Sequence, residues 1–206
     1  MRSAYTSRLV TVQTQSRLGA FVTEVPPYPL TIDNGAGERL TFLRRVPGKT
    51  GDRLEVENVV GPGAGPPMHI HHHQAEALTV KQGRIGYQRV GEAERYGGPG
   101  DTVAFEPGEA HRFWNAGQDE LRCTGFIEPA DNVEYVLAEL YASMKRNGKG
   151  PDPFDAAFLM WRYRSEFALV AIPAAVRHVV FPLQVAVGTM LGKYRKYAGA
   201  PEPVRR

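Results

Sequence analysis

The chain predicts a mainly β fold, a barrel or sandwich of the jelly-roll kind, followed by an α-helical C-terminal extension. Between residues 39 and 128, short runs alternate polar and apolar side chains, and Gly, Pro or Asp stands at nearly every junction, the pattern of a closed or paired antiparallel sheet. After Glu128-Pro129 the apolar residues recur at helical spacing instead. A length of 206 residues with 42% hydrophobic and 23% charged residues suits one core-forming domain with an appendage. The expected division is an N-terminal arm over 1–35, a β-barrel over 36–129 and a helical extension over 130–206.

Arg39 to Arg45 and Arg53 to Val60 alternate in character and flank Pro47-Gly48-Lys49-Thr50-Gly51-Asp52, which reads as a hairpin. Further strands are expected at Ala75 to Lys81, Ile85 to Val90, Thr102 to Phe105, Ala110 to Asn115 and Leu121 to Glu128. Asn132 to Asn147 carries Val133, Val136, Leu137, Leu140 and Met144 on one helical face, with Asp131 as the expected N-cap and Gly148 just past the end. A Gly-Lys-Gly-Pro-Asp-Pro loop leads to a second helical run, Phe154 to Glu166, and an apolar region follows from Phe167 to Leu191.

That apolar region is interrupted by Pro173, Arg177, His178, Pro182 and Gln184, so it reads as a helix packed on the barrel or on a second subunit rather than a membrane span. Residues 167–197 also permit peripheral membrane contact, because apolar positions surround Val179 to Leu191 and Lys193-Tyr-Arg-Lys-Tyr197 suits anionic headgroups.

The net charge is only +3, and no concentrated basic stripe is evident, so nucleic acid is not an expected partner. Cys123 is the single cysteine and reads as a small buried apolar side chain, which fits a reducing cytoplasm. Met1 to Gly19 has no apolar stretch long enough for a signal peptide, and a cytoplasmic location, with membrane association as the variant, is expected.

The chemistry concentrates in His69-Ile70-His71-His72-His73-Gln74-Ala75-Glu76 and in His111. Imidazoles at i and i+2 share one face of a strand, so His69 and His71 can reach a common point. Glu76 lies at odd spacing from His71, which requires a turn through His72, His73 and Gln74 before the carboxylate returns on the neighbouring strand. Three imidazoles and a carboxylate suit one divalent transition metal, Fe, Mn, Ni, Zn, Co or Cu. Out of context, four histidines within five residues also describe a solvated metal-scavenging tract.

Two motifs carry a resemblance to the cupin family. Gly63, five residues, His69-x-His71, four residues, Glu76, six residues and Gly83 fill the first cupin motif. Gly100, five residues, Glu106-Pro-Gly108, two residues, His111, three residues and Asn115 fill the second, except that Glu106 stands where proline is usual and the turn geometry is expected to alter. The spacings are those of small bacterial single-domain, quercetin-dioxygenase-like cupins, and the C-terminal third resembles helical tails appended to some of them. The resemblance implies a double-stranded β-helix with His69, His71, Glu76 and His111 as metal ligands and His72 and His73 at the rim.

Strand parity then turns Leu78 and Val80 inward with Glu76, and Phe113 and Asn115 inward with His111. Leu78, Phe113 and Tyr87 are the candidate substrate-binding side chains, whereas Trp114 falls on the outer face and Trp161 reads as core. The leading expectation is a metal-dependent dioxygenase acting on a small phenolic or enediol compound, with Glu76 also taking a substrate proton. Isomerisation, cyclisation or decarboxylation at the same metal, and a non-catalytic ligand-binding module, are the alternatives. A homodimer is expected, and Leu9 to Gln13 is a candidate exchanged strand.

Overall fold

A computed structural model describes residues 28–148 and 150–206; the candidate exchanged strand Leu9 to Gln13 lies outside them. Among the described residues, eleven strands form two antiparallel sheets. They are β1 (Leu30–Asp33), β2 (Glu38–Pro47), β3 (Asp52–Val60), β4 (His69–His71), β5 (Ala75–Gln82), β6 (Ile85–Arg89), β7 (Arg95–Gly97), β8 (Thr102–Phe105), β9 (Ala110–Asn115), β10 (Leu121–Glu128) and β11 (Phe167–Leu169). The first sheet has the order β1-β2-β3-β10-β5-β8 and the second β11-β4-β9-β6-β7. The fold is therefore mainly β, two facing antiparallel sheets with C-terminal helices.

The expected hairpin is present: β2 pairs with β3, and the Gly48 amide closes the turn on the Gly51 carbonyl at 2.9 Å. Inward parity follows the alternation. Leu78, Val80, Val103, Phe105 and Phe113 are buried between the sheets, together with Cys123. Each fully buried large apolar side chain contributes about 1.5–3 kcal/mol by leaving water.

The first sheet is wider than the second, and its inner face at β2 and β3 needs another cover. Helix α1 (Val133–Asn147) supplies it, burying Val133 and Tyr141 against Leu40, Phe42, Leu54 and Val56. Gly148 ends α1 at φ 75°, the left-handed C-cap geometry. Asp131 is not the N-cap; Asn132 holds that position, and the Asp131 carboxylate instead receives both terminal nitrogens of Arg206 at 2.8 and 2.9 Å. Helix α2 (Pro153–Arg162) is capped by Asp152, whose carboxylate accepts from the Phe154 and Asp155 amides, and it packs Leu159 and Tyr163 beneath α1.

The sheets reach past the expected 36–129 barrel at both ends. Leu30–Asp33 joins β2, and Phe167–Leu169, expected to be helical, pairs with His69–His71. The open edge of β4 accounts for the second case: its backbone groups need partners, and a three-residue extended segment provides them before the chain turns helical again. Thereafter a π-helical stretch, Val176–Val180, runs into α3 (Phe181–Met190), which packs on α2. Trp161 is half-buried under the Arg164 guanidinium at 4.0 Å rather than a core residue. Among the described residues, no helix is long and apolar enough to cross a membrane.

Candidate metal centre

His69, His71, Glu76 and His111 converge, with one donor atom of each lying within 4.8 Å of the others. β4 and β9 are paired so that His69 faces His111 directly across the ladder, while His71 follows two residues on with the same face inward. Glu76 does not come from the hydrogen-bonded neighbour of β4, as expected from the turn alone. Residues 72–74 carry the chain from one sheet to the other, and β5 presents the carboxylate from the opposite wall. The site is thus closed between the two sheets.

The three Nε2 atoms surround one oxygen of Glu76: His111 at 3.2 Å, His71 at 3.5 Å and His69 at 3.9 Å. Two backbone carbonyls set the orientation. The Nδ1 of His69 lies 2.9 Å from the Pro67 carbonyl and that of His111 lies 3.0 Å from the Glu109 carbonyl. Donation from Nδ1–H there leaves the Nε2 lone pair aimed inward, the outer support that metal-binding histidines commonly have. The donor set and its support therefore fit a divalent transition metal, with four protein ligands that leave further coordination positions for water or substrate.

The electrostatics agree. Burial, with the charge of neighbouring imidazoles, lowers the pKa of His69 and takes that of His71 down to about 3, so both rings are neutral and can offer lone pairs at neutral pH. Burial alone would raise Glu76, but the hydrogen bond from His111 and the charge that the imidazoles carry when protonated in acid outweigh it and hold the carboxyl at about 2.

The altered second motif keeps its turn. Pro107 and Gly108 occupy the middle, Gly108 takes φ 82°, and the Glu109 amide closes on the Glu106 carbonyl at 3.1 Å, a type II arrangement that Glu106 tolerates. The Gly108 amide also donates to the His71 carbonyl at 2.7 Å, tying this turn to the other ligand strand.

A cavity of about 270 Å³ opens from the cluster, just below the roughly 300–1,000 Å³ of typical small-molecule pockets. Leu78 and Phe113 are among the residues that line it, and Tyr87 is not. Tyr87 shares the inward parity of Phe113, but Phe105 lies between it and the histidines, stacked on His111 at 3.9 Å with the Tyr87 ring 6.4 Å behind. His72 and His73 stay out of the cluster, and Trp114 faces outward under Arg112 at 4.7 Å.

Sequence reasoning missed three contributors. Phe105 is one, although the buried-exposed alternation of Thr102–Phe105 marks it as inward. Phe167 is another, meeting His71 edge-on at 5.3 Å from β11. The third is α1, which sends Val136, Leu140 and Tyr141 into the cavity wall.

Two facing sheets around such a cluster define the cupin-type barrel, and residues 57–127 match the Cupin domain family. The chain matches that family over about a third of its length. It is similar to the probable oxidoreductase virH of Hypocrea virens, 35% identical over 68 residues covering 32% of this chain and 31% of that protein. It is also similar to the oxidoreductase iacF of Pestalotiopsis fici, 31% identical over 111 residues covering 48% of this chain and 54% of that one. The chain therefore spans about a third and about half of these relatives' lengths. Among solved structures, a Cupin 2 conserved barrel domain protein from Salinispora arenicola is 24% identical, with 48% of this chain and 82% of that chain covered at a TM-score of 0.40.

Proposed function

We propose that this protein is a metal-dependent dioxygenase that oxidises a small phenolic or enediol compound, with His69, His71, Glu76 and His111 as the metal ligands. The convergence of three Nε2 atoms, two of them on rings held by backbone carbonyls, on one buried carboxylate oxygen carries the reading. The oxidoreductase names of two distant relatives favour redox chemistry over isomerisation or passive binding.

When bound, the dication would acidify a coordinated substrate hydroxyl and, if redox-active, couple its oxidation to dioxygen. The protein's own part follows from the geometry. Glu76, ionised at neutral pH, accepts the hydroxyl proton on a carboxylate oxygen. His69 and His111 keep their imidazoles fixed through the Pro67 and Glu109 carbonyls, so little reorganisation is needed when charge changes at the centre. Phe105 stacked on His111 and Phe167 against His71 hold the rings from behind. Leu78, Phe113 and Leu140 present apolar walls that exclude water and orient a planar substrate.

The test is elemental analysis of the purified protein together with oxygen uptake on flavonols and enediols. One metal per chain and turnover are expected, both lost in His69→Ala; Glu76→Gln should weaken metal retention and abolish turnover. Metal retention and tight binding of the same compounds without oxygen uptake would replace the oxygenase by a ligand-binding module.

A further inference from the structure

The π-helical stretch and α3 form one continuous helical run, and one side of it is fixed to the helix before it. Gly188 is buried against the Tyr194 ring, where a larger residue would collide, and Tyr197 stacks on Phe158 of α2 at 4.5 Å. The other side is uncovered among the described residues. Val179, Leu183, Ala186 and Met190 recur there at three- and four-residue spacing, with Val187 and Leu191 flanking them. Leu183 is 63% exposed and Met190 79%. A helix that is apolar all the way round belongs in an interior or in lipid, and a contiguous apolar patch facing water marks a contact site.

The surroundings choose the occupant. Residues 167–201 contain Arg177, Lys193, Arg195 and Lys196 and no Asp or Glu. Lys196 is tied to Asp155 at 2.7 Å, whereas Arg177, Lys193 and Arg195 are exposed and join no ion pair among the described residues. The Arg195 side chain lies against Gly192, one residue beyond Leu191, so cationic charge stands at the end of the apolar stripe. The stripe itself offers a partner no hydrogen-bond donor. Thr189 is its one exposed polar side chain, and its hydroxyl donates to the Val185 carbonyl at 2.8 Å. Protein interfaces carry direct hydrogen bonds around an apolar centre, whereas hydrocarbon asks for none.

We propose that the face from Val179 to Leu191 rests in the surface of an anionic lipid bilayer, its apolar side chains below the headgroups and Arg177, Lys193 and Arg195 among them. The contact is peripheral, since no described helix is long and apolar enough to cross. A second copy docked through the same face would set these cations against their own equivalents. Residues 1–27 match the face no better, carrying Arg2, Arg8 and Arg17 against one acid, Glu24. The membrane contact is independent of the metal assignment.

Sedimentation of the full chain with vesicles tests this, comparing phosphatidylcholine alone with an equal mixture of phosphatidylcholine and phosphatidylglycerol. The protein is expected to pellet with the mixed vesicles and to bind phosphatidylcholine at least about tenfold more weakly, as cations near a charged surface allow. Leu183→Glu combined with Met190→Glu should lower partition into the mixed vesicles by about a hundredfold, with the urea midpoint unchanged. Should that pair fold poorly, Met190→Trp decides, because it keeps the face apolar: its added fluorescence should shift to the blue on mixed vesicles and be quenched by lipids brominated along their acyl chains. The proposal is overturned by no pelleting of the unaltered protein with mixed vesicles, by equal pelleting with both compositions, or by pelleting that the paired glutamates leave unchanged. Met190→Trp emission untouched by acyl-chain bromine overturns it as well. A dimer that the paired glutamates dissociate, without vesicle binding, replaces the membrane by a second copy of the chain.

Discussion

Acid should destabilise the metal-stripped protein in a window that His71 sets. In the fold, burial foremost and then the charge of His69 and His111 hold this imidazole at about 3, against 6.5 for an ordinary histidine. The unfolded chain thus takes up a proton below pH 6.5 that the folded chain refuses until near pH 3. Through that interval the unfolded state binds more protons, so stability is complete above 6.5 and falls as pH falls. At pH 5 the unfolded imidazole gains RT times the logarithm of about 33, and at pH 7 that of about 1.3, a difference of about 2 kcal/mol from this one buried group. His69, also lowered by burial first, acts in the same direction. Glu76 adds a second loss lower down, between 4.5 and about 2. Urea midpoints of EDTA-treated protein, read by tryptophan fluorescence, should drop by about 1 M between pH 7 and pH 5, taking a slope near 2 kcal/mol per molar. In His71→Leu, which keeps the wall apolar, most of that drop should vanish. A midpoint that holds steady from pH 7 to 5, or one that falls equally in His71→Leu, would refute the argument. If the folded cluster holds a divalent metal as proposed, adding that metal back should raise the midpoint throughout.

Other substitutions test other contacts. Glu166 is fully buried and accepts from the Asn132 amide, the Asn132 side chain and the Val204 amide at 3.1, 2.7 and 2.9 Å. Glu166→Ala orphans the two backbone donors and leaves the Asn132 side chain only its bond to the Glu202 carbonyl, and it should cost about 3–5 kcal/mol, lowering the calorimetric Tm by roughly 10 °C. Phe167→Ala removes a half-buried ring and should cost about 2 kcal/mol, around half the loss of a fully buried Phe, yet leave one metal per chain, since all four proposed ligands are kept and the backbone pairing of β11 with β4 still places His71. Leu183 is 63% exposed on α3, so Leu183→Glu should shift stability by less than about 0.5 kcal/mol in urea titration.

Most of the site was legible because its information is local. His69-x-His71 and His111-x-Phe113 obey a two-residue period, and Glu76-x-Leu78-x-Val80 does the same on the facing sheet, so parity alone placed all of them inward. Tyr87 shows where parity stops. It has the right face, but whether another ring stands between it and the cavity is a question of depth, and Phe105 fills that depth. Phe167–Leu169 was hidden differently: a three-residue strand inside a long apolar stretch has too few positions to display a period, and its pairing depends on an edge nearly a hundred residues earlier. The buried polar pair Glu38 and Asn58 did leave a signal that went unread. Glu38-x-Leu40-x-Phe42 and Leu54-x-Val56-x-Asn58-x-Val60 each put one polar residue at an inward position, a conflict between local pattern and burial that is most often found at functional sites.

The position of β11 alters how the C-terminal segment relates to the metal centre. Glu166 ties α1, through Asn132, to the chain end at Val204, and its own carbonyl accepts from the His72 amide at 2.8 Å. The next residue, Phe167, lies opposite His71 in the ladder and against its ring. One pair of adjacent residues therefore connects the chain end, the helix that walls the cavity and a ligand strand. A disturbance of the tail that releases Glu166 would free both the edge of β4 and one wall of the cavity, so changes far from the histidines should appear first as looser substrate binding and only later as metal loss. His69 and His111 keep their own backbone supports at Pro67 and Glu109, and neither support involves the tail.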